Sequence, residues 1–442
     1  MCFAKAILSL KKTAETVKKI QHKKRRGMLM EIRRDTYLQQ LIDKRNDGMI
    51  KVITGIRRCG KSYLLDPLYK NCLLEDGVPK DHIIKFEFDR AINRKYHSDA
   101  ELLERDILSL MKDDDTYYVL LDEIQLVEGF EFVVSGLLHE PNIDIYVTGS
   151  NSRFLSTDII TEFRGRGEQI HVNPLSFSEF YPASGYDKHD AWNEYITFGG
   201  MPLILSKKND AEKSQYLKDL FDQTYFSDIV ERNGIKRLDI MDTIVNILAS
   251  SVGSLTNPQK IYETFKSSGE RELSLNTVNS YLSFLEDAFI VKKALRFDVK
   301  GRKYINTPQK YYFSDLGLRN ARLNFRQQEE SHLMENAIYN ELIKRGFNVD
   351  VGVVEIREGN KRIQTEVDFV CNLGDNRYYI QSALNLSTPE KTLHESRSLN
   401  HIPDNFKKII VVKDYIKSWK TDDGILVIGI MDFLLDESSI EK

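Results

Sequence analysis

From residue 36 the chain alternates between two periodicities. Tyr37, Leu38 and Leu41 recur at helical spacing and predict a helix over 36–45. The next apolar run, 49–54, is short and rich in β-branched residues, as a buried strand is. A glycine-rich turn and a helical stretch over 62–69 follow, and 83–88, 117–121 and 143–148 are further strand candidates. Strands alternating with helices predict a parallel sheet with helical crossovers.

Beyond Phe177 the pattern turns helical, over 178–181, 190–195 and 211–232, with a turn at Gly199-Gly200-Met201-Pro202. Three helices then follow in sequence, over 239–250, 258–267 and 275–287. They lead into two alternating segments, 289–297 and 303–313, joined at Lys300-Gly301. Three helices and a hairpin in that order are a winged helix-turn-helix pattern. The last part returns to mixed α/β, with a helix over 332–345 and strands near 349–354, 366–371, 377–381 and 408–412.

Composition narrows the class without naming a chemistry. A chain of 442 residues with 41% hydrophobic and 29% charged residues is ordered and multidomain. Its longest apolar run, 425–435, is broken by Gly429 and Asp432 and is too short for a membrane span. Cys2, Cys59, Cys72 and Cys371 lack paired spacing, so neither a disulfide framework nor a zinc site is expected, and a cytoplasmic location is. The net charge of −3 conceals a basic start: nine Lys and Arg against Glu15 give residues 1–27 a charge of +8. That stretch reads as an extension ahead of a natural start at Met28 or Met30; a basic arm for nucleic acid or a membrane surface is the alternative.

The chemistry is concentrated in two places. Gly55-Ile56-Arg57-Arg58-Cys59-Gly60-Lys61-Ser62 satisfies G-x-x-x-x-G-K-[ST], with a strand entering it and a helix leaving it. Backbone N–H groups of such a loop cradle phosphates, Lys61 reaches the β- and γ-phosphates, and Ser62 ligates Mg²⁺. Sixty-one residues beyond Lys61, an apolar strand ends in Asp122-Glu123. Asp122 is placed to hold the same Mg²⁺ and Glu123 to activate the attacking water. ATP and Mg²⁺ are therefore the expected ligands. Thr148-Gly149-Ser150-Asn151-Ser152 ends a third strand, either near the γ-phosphate or as a cap for the next helix. Arg164 and Arg166 are candidates for stabilising transition-state charge in their own or a neighbouring subunit, Arg166 being the one assigned.

These motifs, with Met30-Glu31-Ile32-Arg33-Arg34, Pro174-Leu175-Ser176-Phe177-Ser178-Glu179-Phe180 and Gly199-Gly200-Met201-Pro202, resemble the prokaryotic AAA-type P-loop ATPases that carry a carboxy-terminal domain of unknown function. The resemblance covers nearly all of 30–420 and implies ATP hydrolysis. The back half resembles a winged helix followed by a restriction-endonuclease-like domain. Nucleases of that fold use an Asp on one strand and Glu/Gln-x-Lys on the next, which maps here to Asp368 and to Gln381-Ser382-Ala383, with Glu335 on the preceding helix. Alanine at 383 can neither orient water nor stabilise a phosphate, so cleavage is not expected.

The resulting fold expectation is α/β: a P-loop NTPase parallel sheet over 30–176 and a helical lid over 177–235, after a basic extension over 1–29. A winged helix over 236–325 and a smaller nuclease-like α/β domain over 326–442 complete it. The helix over 275–287 should bury Val278, Leu282 and Leu285 and present Asn276, Asn279, Ser280 and Ser283. DNA contact would run through the basic stretch 292–303, with Lys292, Lys293, Arg296, Lys300, Arg302 and Lys303. A protein partner and a second copy of the chain stay open beside DNA, and no membrane is expected. Nucleotide turnover that remodels DNA or protein is the leading reading; a slow ATP-dependent switch or a DNA-binding regulator is the alternative.

Overall fold

A computed structural model describes residues 32–149, 163, 165–267, 269, 273–326 and 329–441. The basic extension, Ser150 to Ser152 and Arg164 lie outside these residues. The first half holds a five-stranded sheet of β1 (Ile50–Thr54), β2 (Ile83–Glu87), β3 (Tyr117–Asp122), β4 (Ile143–Thr148) and β5 (Gly167–His171). Its order is β2-β3-β4-β1-β5, and every pairing is parallel. All residues of β1 and β3 are buried, as strands covered on both faces require. That is why β3 stands out in the sequence as an apolar run; β1 is interrupted by Lys51, which is buried and paired with Asp144 at 2.5 Å. Helices α1 (Asp35–Asp43), α2 (Ala100–Leu110) and α3 (Phe130–Leu137) cover the sheet.

The helical segment between the sheets contains α4 (Phe177–Ser184), α5 (Lys188–Phe198), α6 (Asp210–Asp219) and α7 (Ser227–Asn233). Ser176 and Glu179 form a reciprocal capping box at the start of α4. Glu179 Oε2 also receives Arg34 Nη1 at 3.1 Å, both side chains being buried. Two sequence motifs 145 residues apart thus meet in one ion pair. The helix expected over 211–232 runs without a break from α6 to α7, with a π-helical turn over Leu220–Phe226 joining them.

Three helices, α8 (Leu238–Ser250), α9 (Pro258–Ser267) and α10 (Leu275–Asp287), precede β6 (Val291–Asp298) and β7 (Lys303–Phe313). Val278, Leu282 and Leu285 of α10 are buried while Asn276, Asn279, Ser280 and Ser283 are exposed, as their spacing predicts. The hairpin does not stand free. Strand β6 pairs in parallel with β8 (Asn348–Glu358) and joins an eight-stranded sheet. Its order is β12-β13-β11-β10-β9-β8-β6-β7, with β9 (Lys361–Leu373), β10 (Asn376–Ala383), β11 (Lys407–Val412), β12 (Trp419–Lys420) and β13 (Leu426–Gly429). Helices α11 (Leu316–Arg322), α12 (Glu330–Lys344), α13 (Pro389–Asn400) and α14 (Ile430–Leu435) pack around it. One buried apolar cluster runs from Tyr37 and the phosphate-loop face of the first sheet, through α5 and α8, to Phe433 and Ile440. No helix among the described residues is long and apolar enough to cross a membrane.

Candidate functional site

The loop leaving β1 needs a glycine at its first position. Gly55 has φ +141°, and a Cβ there would stand 2.1 Å from the carbonyl oxygen of Val172. The chain then turns through Arg58 at φ +64° and Gly60 at φ +107° into the helix that begins at Lys61. Lys61 is buried, and its Nζ donates to the carbonyls of Gly55 at 3.0 Å and Ile56 at 3.3 Å. Ile56 and Cys59 are buried beneath the loop, the Cys59 thiol donating to Val172 O at 3.2 Å.

Asp122 comes to the same end of the sheet from β3. Its Oδ1 accepts from Ser62 Oγ at 3.0 Å and from Thr148 Oγ1, at the end of β4, at 2.5 Å. Burial raises its carboxyl above the ordinary range, opposed by those two hydroxyls and reinforced by the charges of Glu123 and Asp89. The pair predicted to hold Mg²⁺ is therefore in direct contact, with hard oxygen donors that suit that ion. A cation there would offset the repulsion that Asp122 feels from its acidic neighbours.

Glu123 has φ +55°, a left-handed conformation unusual for a residue with a side chain. Its N–H donates to Thr148 Oγ1 at 2.9 Å, and its Oε2 accepts from Gln125 Nε2. Such a backbone costs about 1–3 kcal/mol and persists where the surroundings impose it; here it belongs to a residue of the cavity lining. Thr148 thus serves both acidic residues, a role its position at a strand tip only half signals.

Arg58, Gly60, Lys61, Ser62 and Glu123 line a cavity of about 1140 Å³, whose opposite wall includes Tyr186, Pro202, Leu203 and Ile204. The volume is ample for a nucleotide, since ligand pockets span about 300–1,000 Å³. Arg57, by contrast, is exposed and pairs with Asp228 of α7 at 2.8 Å, while its carbonyl accepts from Tyr225 OH at 2.7 Å.

Three expectations change. Arg166 accepts the N–H of Ile50 at 2.8 Å, at the start of β1, whereas the phosphate loop leaves the other end of that strand. Five strand residues span about 16 Å, so Arg166 does not serve the phosphate loop of its own chain. The basic stretch 292–303 is also smaller than its sequence suggests. Lys292 donates to Asn173 Oδ1 at 2.9 Å, Lys293 pairs with Glu286 at 3.0 Å, and Lys300 donates to Glu355 O at 2.6 Å. Lys293 and Lys300 stay exposed while so engaged, and Lys292 is half-buried.

The third change concerns the back half. Asp368 on β9 and Gln381 on β10 do approach, with Asp368 N–H donating to Gln381 Oε1 at 3.4 Å, and Ala383 is buried. A lysine nevertheless enters this cluster from another strand. Lys310 of β7 places Nζ 2.8 Å from Glu335, 2.7 Å from Glu366 and 3.5 Å from Asp368. Burial works against its ammonium, but the three carboxylates prevail and hold its pKa above the ordinary value. Burial and the Asp368 charge raise Glu335, which also accepts from Tyr312 OH at 2.6 Å. The signal for Lys310 is a lysine directly preceding the aromatic run Tyr311-Tyr312-Phe313.

A family model described as an AAA domain matches residues 47–181, and one described as a domain of unknown function matches residues 189–329. An uncharacterized protein of Haemophilus influenzae is 36% identical over 411 residues, covering 91% of this chain and 98% of that protein. An uncharacterized protein of Methanocaldococcus jannaschii is 29% identical over 354 residues, covering 77% and 76%. Among solved structures, the Aeropyrum pernix ORC1 protein in complex with DNA aligns with 67% of this chain and 94% of its own at 14% identity. Its TM-score of 0.27 is too low to bear on function.

Proposed function

Since the chain belongs to one family with its Haemophilus influenzae relative and carries an AAA domain at residues 47–181, we propose that it is a Mg²⁺-dependent ATPase. The observation that carries this reading is one cavity holding Lys61, Ser62 and Glu123, with the Ser62–Asp122 contact at its edge. The triphosphate lies on the N–H groups of residues 55–62 and the start of the following helix. Lys61 Nζ exchanges two loop carbonyls for the β- and γ-phosphate oxygens. Ser62 and Asp122 hold Mg²⁺, which when bound neutralises phosphate charge. Glu123 orients a water for in-line attack on the γ-phosphorus and accepts its proton as the bond to the β-bridging oxygen breaks, giving ADP and phosphate.

The work done with that energy passes, in our reading, to the helical unit over 238–287 and the hairpin. Arg302, Lys303 and the polar face of α10 remain the surface for DNA. Steady-state ATP hydrolysis at low salt, with and without duplex or single-stranded DNA, tests both parts. Glu123→Gln should retain nucleotide and lose turnover; an unchanged rate would remove Glu123 from the mechanism. Stimulation by DNA supports a nucleic-acid partner, and a DNA-independent rate directs the reading to a protein.

A further inference from the structure

The Gly199-Gly200-Met201-Pro202 turn forms a wall of the cavity through Pro202. A Cβ on Gly60 would lie 3.9 Å from Pro202 Cγ, so the turn faces the phosphate loop directly. The groups that hold it come from beyond the hairpin. Asp315 is buried and caps α11: Oδ1 accepts from Leu318 N–H at 3.0 Å and Oδ2 from Gly200 N–H at 2.7 Å. Asn320, also buried, donates to the carbonyls of Ile196 and Thr197 at 2.8 and 2.9 Å, at the end of α5. A Cβ on Gly317 would stand 2.0 Å from Phe198 O, so only glycine lets α11 lie this close to the turn.

The other side of α11 grips the three-helix unit, since Arg319 Nε donates to Ala249 O, in α8, at 2.7 Å. The turn is tied back to the first half as well: Leu175 N–H donates to Gly200 O at 2.8 Å. Arg58 of the phosphate loop and Asp315 both act on the hydroxyls of Tyr216 and Tyr225, which burial raises first of all. Burial likewise lifts the Asp315 carboxyl to about 6 against the pull of the N–H groups of Leu318, Gly200 and Gly317.

We propose that Asp315 is a positioning residue of the nucleotide site: it fixes the turn bearing Pro202 against the phosphate loop and joins nucleotide binding to the placement of α11 and the three-helix unit. This rests on the ATP reading above. Because the two ends share one clamp, nucleotide affinity and the placement of α11 are coupled reciprocally. A partner that shifts α8 or α11 shifts nucleotide affinity by the factor with which nucleotide shifts that partner.

Asp315→Asn keeps the shape and replaces one acceptor by a donor that faces an N–H. The expected result is a ~10-fold weaker Kd for a fluorescent N-methylanthraniloyl ATP, about the effect of one lost hydrogen bond. The kcat at saturating ATP should stay within about twofold, since nothing that touches the reacting atoms is removed. A lowered Tm with an unchanged Kd would assign Asp315 to structure alone and overturn the proposal. Lys61→Ala, measured in parallel, separates the two readings. If it binds nucleotide like the wild type, the ATP reading fails; if it does not bind and Asp315→Asn binds normally, only the positioning role fails. Should Asp315→Asn not fold, hydrogen exchange on the wild-type chain decides. Amides over 314–323 lie outside the cavity lining and should exchange more slowly with a non-hydrolysable ATP analogue and Mg²⁺, and unchanged exchange overturns the proposal.

Discussion

Lys61 and Lys310 are buried to nearly the same depth, at 4% and 3% exposure, in opposite halves of the molecule. Lys61 has two neutral backbone carbonyls as its hydrogen-bond partners and stands at the edge of a large cavity. Lys310 has three carboxylates within 3.5 Å and a tyrosine hydroxyl on one of them. A buried ammonium held by carbonyls keeps much of its field for an incoming anion. One enclosed by carboxylates has its charge answered from within. Residue type and burial alone therefore do not mark a site; the charge of the partners does.

The sharpest test of that contrast is Glu123→Gln beside the offered lysine, which should lower kcat by about 10²–10⁴-fold while nucleotide affinity stays near the wild-type value. Lys310→Met addresses the enclosed lysine. It leaves three carboxylates facing one another and should lower unfolding free energy by ~3–5 kcal/mol at pH 7 in urea titrations, with nucleotide Kd unchanged. The loss should shrink below about pH 5, where protonated carboxyls no longer need the cation. A Kd that moves with Lys310 would erase the distinction between the two lysines.

Lys292 lies between these extremes, with Asn173 as its hydrogen-bond partner and its pKa pushed down to about 8 by burial. Its folded value lies below its unfolded one of about 10.5, so its contribution to stability is full only above that pH and is lost as pH falls through 8. Lys292→Met should accordingly stabilise the protein at pH 7 by ~1–3 kcal/mol, the gain fading as pH approaches 10. Equal Tm values at both pH values would show that solvent reaches the amine. The smallest expected signal is nicking of plasmid DNA with Mg²⁺ or Mn²⁺. The rate should equal that of Asp368→Ala, because Lys310 is held by its own carboxylates; cleavage that Asp368→Ala removes would overturn this.

The phosphate loop was legible because its chemistry lies in eight consecutive residues between a wholly buried strand and a helix. Asp122 and Glu123 were legible because β3 announces itself as an apolar run. Strand β5 was not: it is an edge strand, Gly-Glu-Gln-Ile-His, with Ile170 its one fully buried side chain, so it has no apolar run to detect. Strand β13 lay inside the longest apolar stretch, which gave no sign of where strand passes into α14. Arg166 lies far from its own phosphate loop because nearness in sequence to a strand tip does not reveal which end of the sheet a residue occupies. Asp315 and Lys310 could not have been placed, since each meets its partners through pairings that close long stretches of chain. The hairpin's place in the large sheet was hidden for a related reason: alternation identifies a strand but not the neighbour it pairs with.

The bond between Gly200 and Asp315 spans 115 residues, and this sets a schedule for the molecule's birth. A ribosome adding about 5–20 residues per second needs roughly 6–23 s to make that stretch. Throughout that interval the phosphate loop has been synthesised but one wall of its cavity has no clamp. On the positioning role proposed for Asp315, the nucleotide site of the nascent chain gains its full affinity only once the segment carrying Asp315 has been made.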